Sequence, residues 1–465
     1  MTETLNQPQA AERKPVALAI AIFLLLWLPA AILSHGYPEA DGYTHFLAAR
    51  YALAVPTNFT DVWARPVCTI LYCLPSIIGG HFGICVASAA IAIGCGVVAF
   101  QIARDQGDRP ALALILTLAQ PLLFVHSLTV MTELPFALLL GCTFLAFERK
   151  RWFIAALLAG LLPAARPEGF GFLIFAGCAL LWLAPRWLLI LPLPLVIWNL
   201  TGWLQDGREG QWWMWMSHHW PYSAQSMYGR GSIMAFAVQL PVIVSPLVLP
   251  ATLLGIALSF RPLRVARAAT ALIPLFVLTV HSLLYATGKM GSYGEARYLL
   301  VAAPFWGILS ARGWEWCFGK LRWSHSLRWA GAAAMVPLLV NCIHPFVPLR
   351  PTPDCELAER LGKWYPTSAQ GQRYTHLLAS HIAVYYFSGI SPTDQSRAVR
   401  FNKEMIAARP PDTLLIWDPY FSMHNANMDC TVSLDEIARA GWVADPAIED
   451  QLGLGSLQWH VFHSP

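Results

Sequence analysis

Apolar runs set the limits on this chain. Residues 16–33 contain no charged side chain, and comparable runs recur at 82–103, 111–125, 134–147, 152–165, 170–184, 188–203, 233–258, 268–286, 298–311 and 329–343. In hydrocarbon every backbone N–H and C=O must find its partner within the protein, which leaves helices or closed barrels. Continuous runs of this kind read as helices. Charged residues make up 12% of the 465 residues, against roughly 25% in soluble domains. The expected fold is an all-α polytopic membrane protein with about eleven crossing helices. Twenty Trp fit such a protein, because indole favours the headgroup zone. The basic residues are dispersed and form no stripe that would bind nucleic acid.

Basic residues orient the spans. Arg13-Lys14, Arg104 and Arg109, Arg149-Lys150-Arg151, Arg186, Arg261, Arg264 and Arg267, and Arg312, Lys320 and Arg322 fall on one side. This holds if the short, Pro-broken stretch 67–79 lies in the interface without crossing. The positive-inside rule makes that side cytoplasmic. The run at 16–33 lacks a small-x-small cleavage site and reads as a retained anchor. The long loops 34–66 and 204–232 then lie outside, and so does everything after residue 345. There Pro345, Pro348, Pro351 and Pro353 mark a linker. Residues 346–465 read as a small α/β domain of roughly 110 residues. Residues 413–417 and 459–462 read as buried strands, and Ser433 caps a helix with acids in its first turn. Cys355 and Cys430 are the two cysteines outside apolar runs, and an oxidising compartment would permit a disulfide between them.

Charged residues at the edge of hydrocarbon are costly and are functional candidates by default. On this topology they share one face. Glu39-Ala40-Asp41 directly follows the first span, bracketed by Pro38 and Gly42, with an amphipathic helix expected over 44–55. A carboxylate fixed there could accept a proton from a hydroxyl, or help hold a divalent cation such as Mg or Mn. Arg65-Pro66 closes the same loop. Its cation could meet a phosphate or simply snorkel. Glu133 opens the fourth span with His126 shortly before it, where the helix dipole alone would also favour an anion. Arg166-Pro167-Glu168 turns between two spans. It serves equally well as a brace within the hairpin or as a substrate contact. The loop 211–220 is crowded with Trp, an interfacial anchor or a rim of stacking faces. Arg230, Lys289 and Arg297 are further candidates for a phosphate, Arg297 standing where hydrocarbon begins.

Together these motifs resemble the GT-C superfamily of integral-membrane glycosyltransferases, which includes protein mannosyltransferases and lipid A aminoarabinose transferases. Glu39-Ala40-Asp41 is similar to the superfamily's Glu-x-Asp motif in the first outer loop. Arg65-Pro66 is similar to the basic-Pro pair that ends it in bacterial members. Thr132-Glu133-Leu134-Pro135, Arg166-Pro167-Glu168-Gly169 and Arg297-Tyr298 with Pro304 are similar to later motifs. The resemblance covers residues 1–345 and implies transfer of a sugar from a polyprenyl-phosphate-linked donor to an acceptor hydroxyl at the outer face, in a bacterial inner membrane. It implies Asp41, with Glu39, as catalytic acids or metal ligands. It implies Arg297, Lys289, Arg230 and Arg65 as donor-phosphate contacts, and Glu133, His126, Arg166 and Glu168 as second-motif and acceptor-site residues. A transporter or flippase is the alternative. Such folds show repeated halves and polar groups at mid-membrane, whereas here the polar groups gather at the outer ends of spans.

Overall fold

The computed structural model describes residues 7–222, 224–261, 264–320, 340, 342–424 and 428–465. Among these, four helices are long and apolar enough to cross a membrane: Lys14–Leu33, Pro66–Asp105, Pro185–Gln205 and Val265–Thr287. The expected eleven straight spans are therefore not what the described residues form. Run 111–125 is split into Pro110–Leu118 and Pro121–His126, since Pro121 has no N–H to continue the ladder. Run 233–258 is split into Ala235–Val244 and Leu249–Leu258, bent by 106°, with Ser245 at φ +75° between them. Run 298–311 begins as a 3-10 turn, Ala296–Ala302, and continues as the helix Ala303–Lys320. Shorter apolar helices occupy Trp152–Ala164 and Gly169–Leu183, and Glu133–Glu148 lies between them and the split third run. The run 329–343 lies largely outside the described residues.

The stretch Pro66–Asp105 is not one rod. Gly80 has φ 54° and ψ −135°, a conformation closed to residues with a Cβ. A Cβ placed on Gly83 would come within 2.2 Å of the Pro75 carbonyl oxygen, and the Tyr72 and Ser88 hydroxyls hydrogen-bond at 3.0 Å. In a straight helix sixteen residues would separate Tyr72 from Ser88 by about 24 Å. The chain therefore doubles back at Gly80, and 66–79 lies antiparallel against the start of 81–105. The break expected between 79 and 82 is present, and it is a hairpin.

Glycine also sets the tightest packing between helices. A Cβ on Gly255 would sit 1.8 Å from the Leu309 carbonyl oxygen, and one on Gly313 equally close to that of Ala251. The helices Leu249–Leu258 and Ala303–Lys320 thus touch backbone to backbone. Beside them Arg312, 5% exposed, binds Asp108 at 2.5 Å and Gln106 at 2.9 Å.

The segment after residue 345 carries a four-stranded sheet in the order β1-β2-β4-β3: β1 His376–Ala379, β2 Thr413–Trp417, β3 Val443–Ala444 and β4 His460–His463. β1 and β2 are parallel, and the other pairs are antiparallel. Ser433 forms a capping box with Glu436 at the start of Leu434–Arg439. Cys355 and Cys430 are free thiols, so the disulfide is absent. This segment docks on the loop that follows the first long helix. Leu349 N–H donates to Ser34 Oγ at 2.9 Å and Thr352 Oγ1 to the Pro38 carbonyl at 2.8 Å. Tyr386 packs edge-on against Tyr43 and Phe46, with ring centroids 4.9 and 5.0 Å away.

Gly80→Ala should lower stability by about 1–3 kcal/mol through backbone strain alone, because its Cβ would meet nothing within 4 Å. Gly79→Ala, equally unobstructed but helical, should be neutral or stabilising by up to ~1 kcal/mol. Thermal unfolding of the two variants in one detergent separates them.

Candidate active site

The first outer loop supplies its acids from a helix start. Glu39 is the N-cap of Ala40–Tyr51 and Asp41 lies in the first turn, so the helix begins four residues earlier than expected and the acids belong to it. His45, one turn after Asp41, shares its face. Arg297 comes from the turn before Ala303–Lys320. Its Nη1 binds Glu39 at 2.9 Å and its Nη2 binds Asp41 at 2.9 Å, while its Nε binds Glu295 and stands 3.9 Å from Glu133.

Glu133, at the start of Glu133–Glu148, continues the network. Its Oε1 accepts from Arg166 Nη1 at 2.6 Å, and the same nitrogen donates to Thr132 Oγ1 at 2.7 Å. Arg166 Nη2 binds Glu168 at 2.9 Å, and His281 Nε2 lies 3.1 Å from the same carboxylate. Burial raises the Glu168 pKa, but Arg166 and His281 outweigh burial and hold it well below the usual range. Two guanidiniums thus gather five carboxylates from four stretches of chain. The brace reading of Arg166-Pro167-Glu168 is realised, and Arg166 also reaches the second motif.

Arg65 stands apart. It is 1% exposed, with φ 68° and ψ 116° immediately before the hairpin, a strained position for a residue with a Cβ. Its guanidinium lies over Trp220 and Tyr222, 5.4 and 5.7 Å from the ring centroids. Nη2 donates to Tyr222 Oη at 3.4 Å, and Nη1 has no partner. The Trp-rich loop therefore does more than anchor, since it covers a buried cation.

These groups line one cavity of about 1390 Å³. Glu39, Asp41, Arg65, Glu133, Arg166 and Arg297 all face it, and sequence reasoning named each of them. Lys289 and Arg230 do not line it, and both are exposed on the neighbouring loops. His126 and Glu168 also lie outside the lining. His126 is buried beside Glu133. Sequence reasoning missed Glu295, Tyr222 and a wall built by the last segment: Thr352, Asp354, Ser380, Asp418, Tyr420 and Trp459; Tyr298, named there only as part of a motif, also lines the cavity. Ser380 and Asp418 directly follow the carboxyl ends of the parallel strands β1 and β2, where α/β sheets commonly meet ligands.

Neither candidate metal site fits a divalent cation. Glu39 and Asp41 each already bind a terminal nitrogen of Arg297, so a metal between them would sit against a guanidinium that the same acids neutralise. Asp354, Cys355 and His381 have suitable donor types within 4.8 Å of one another. However, His381 Nδ1 accepts from the Ala383 N–H, so the neutral ring carries its proton on Nε2, facing Asp354 at 3.2 Å. That nitrogen has no lone pair for a metal.

No family model and no curated protein matches this sequence. The fold does have solved counterparts. The crystal structure of ArnT from Cupriavidus metallidurans in the apo state aligns with a TM-score of 0.61 and 13% identity, over 96% of this chain and 97% of that one. ArnT from the same organism bound to undecaprenyl phosphate aligns with a TM-score of 0.60 and 13% identity, over 87% and 93%. The resemblance drawn from the motifs therefore extends to the fold of nearly the whole chain, including the segment after residue 345 that the motifs did not reach.

Arg297→Met should destabilise the protein by about 1–3 kcal/mol, since Glu39 and Asp41 are partly exposed and Glu133 keeps Arg166 as a partner. Arg104→Ala, which breaks an exposed pair with Asp105, should change stability by less than ~1 kcal/mol. Thermal unfolding measures both. Burial pushes the His45 imidazole down from 6.5 to about 4, against the opposing pull of Asp41 and Glu133. Between those values the unfolded chain binds more protons at this site than the folded one. Its contribution to stability is thus full above pH 6.5 and lost as pH falls toward 4. His45→Gln should flatten the acid side of a melting-temperature profile.

Proposed function

We propose that this chain is a membrane glycosyltransferase that moves a sugar from a polyprenyl-phosphate-linked donor to an acceptor hydroxyl. Its catalytic face and last segment lie outside the cytoplasm of a bacterial inner membrane. The fold shared with ArnT supports the reaction class, and the undecaprenyl phosphate held by that protein supports the donor lipid. The distribution of basic residues supports the orientation.

The observation that carries the reading is the separation of charge within one cavity. Arg65 is a buried cation that forms no ion pair with a described carboxylate, whereas Arg297 is surrounded by them. A lipid phosphate entering at headgroup level would find its counter-charge at Arg65, with Tyr222 beside it. Arg297 is better suited to holding Glu39 and Asp41 in place. Asp41 keeps 40% of its side chain exposed and can accept the acceptor hydroxyl's proton. The acceptor oxygen then bonds to the anomeric carbon and the carbon–oxygen bond to phosphate breaks. The electron pair leaves on the phosphate, where Arg65 stabilises the added charge. Attack opposite the leaving group inverts the anomeric centre.

The test is release of undecaprenyl phosphate from undecaprenyl-phosphate-linked sugars by protein in nanodiscs. Asp41→Asn should fold and lose turnover by ~10²–10⁴-fold, while Arg65→Gln should lose donor binding by ~10-fold or more. An Asp41→Asn protein as fast as wild type would remove Asp41 from the reaction.

A further inference from the structure

The floor of the cavity contains polar atoms that the acid–guanidinium network leaves unused. Glu133 is 1% exposed. Its Oε1 serves Arg166, but its Oε2 has no partner. His45 is 8% exposed and lies flat on Trp63, with ring centroids 4.5 Å apart and planes at 18°. Its Nδ1 is also without a partner, as is Nη1 of Arg65. These three side chains come from three separate stretches of sequence, and all line the same cavity.

Buried polar groups are nearly always hydrogen-bonded, and a buried charged group left short of a partner costs more than a neutral one. Three shortfalls in one place describe the molecule that would fill it. The guanidinium asks for an anionic oxygen. The Glu133 oxygen asks for a hydrogen-bond donor. The imidazole, uncharged at neutral pH, can give or accept. A sugar joined to a phosphate has these features, with its hydroxyls standing around a compact ring.

We infer that the floor between Arg65 and Glu133 is the pocket for the donor's sugar ring, with Glu133 Oε2 accepting a hydrogen bond from a ring substituent and His45 reading a neighbouring one. The inference rests on the proposed transfer reaction and sharpens it. Glu133, grouped with the acceptor site in the sequence, here serves the donor. The wall made by Asp354, Ser380 and Tyr420 is left facing the acceptor.

The experiment compares equilibrium binding, in nanodiscs, of undecaprenyl phosphate and of the same lipid carrying a hexose, a pentose or an N-acetylhexosamine. Wild type should bind at least one glycosylated lipid ~10-fold tighter than the bare phosphate, the worth of one hydrogen bond to a charged group. Glu133→Gln should remove most of that increment, costing the glycosylated lipid clearly more affinity than the bare lipid. His45→Phe, which keeps the stack on Trp63, should remove part of it without disturbing Arg166. Equal loss for bare and glycosylated lipids in both variants would overturn the pocket, as would a wild type that gains nothing from any of the three sugars. If bare undecaprenyl phosphate fails to bind, or binds as well to Arg65→Gln, the transfer reaction itself is at fault.

Discussion

Glu133 bridges two guanidiniums at the edge of the apolar layer, and the arrangement of the cavity depends on that bridge. Through Arg166 it ties the helix it begins to the turn before Gly169–Leu183, and Glu168 extends the tie to His281 on Val265–Thr287. Through Arg297 it faces the start of Ala40–Tyr51 and the turn before Ala303–Lys320. Several of these groups are almost fully enclosed, with Glu133 and Glu168 exposing 1% and 9% of their side chains. A lone charge so placed would be strongly disfavoured. Held together, each group makes its neighbours tolerable. The helices must then meet at the cavity in one relative height, because a slip of one turn would separate charges that cannot be left unpaired.

This explains why the site could be read from the sequence more fully than the fold. A charged residue is conspicuous in a chain with so few, and each of Asp41, Glu133, Arg166 and Arg297 stands where an apolar run begins or ends. What they pair with was less legible. Arg297 reads as a phosphate clamp when taken alone, and only coordinates reveal that acids occupy its nitrogens. Glu295 was passed over because it sits two residues from a more conspicuous arginine. Lys289 and Arg230 share the right loops but are exposed outside the cavity, a distinction that loop membership does not carry. The helices failed for a different reason. Hydropathy records what a segment can dissolve in, not whether it is straight. The breaks at Pro121, Ser245 and Gly80 therefore turned apparent spans into half-helices, a bent pair and a hairpin.

The last segment shows another limit of local reading. The strand Thr413–Trp417 and the Ser433 cap were visible because they depend on near neighbours. That Thr352, Ser380 and Asp418 complete the cavity depends on docking, which aromatic packing between Tyr386 and Tyr43 and the hydrogen bonds at Ser34 and Pro38 bring about. None of those partners lies within 300 residues of the other in a way a sequence pattern could show. Docking has a chemical consequence. Residues that directly follow β1 and β2 line one part of the cavity and residues at the ends of the membrane helices line another, so a molecule held there would meet both.

The division of labour between Arg65 and Arg297 follows from electrostatics alone. A phosphate approaching Arg297 would have to displace Glu39 or Asp41, and would then face the freed carboxylate together with Glu133 and Glu295 at close range. At Arg65 the neighbours are aromatic faces and a phenol, which tolerate an anion without competing for the cation. The same geometry would suit Asp41 to the role of base proposed for it. Asp41 gives one oxygen to Arg297, which fixes its direction, and is still partly open to the cavity. In the proposed transfer, the cation without an ion pair and the anchored carboxylate would divide the work: negative charge growing on a leaving phosphate would meet Arg65, while the acceptor's proton would pass to Asp41, both within one cavity.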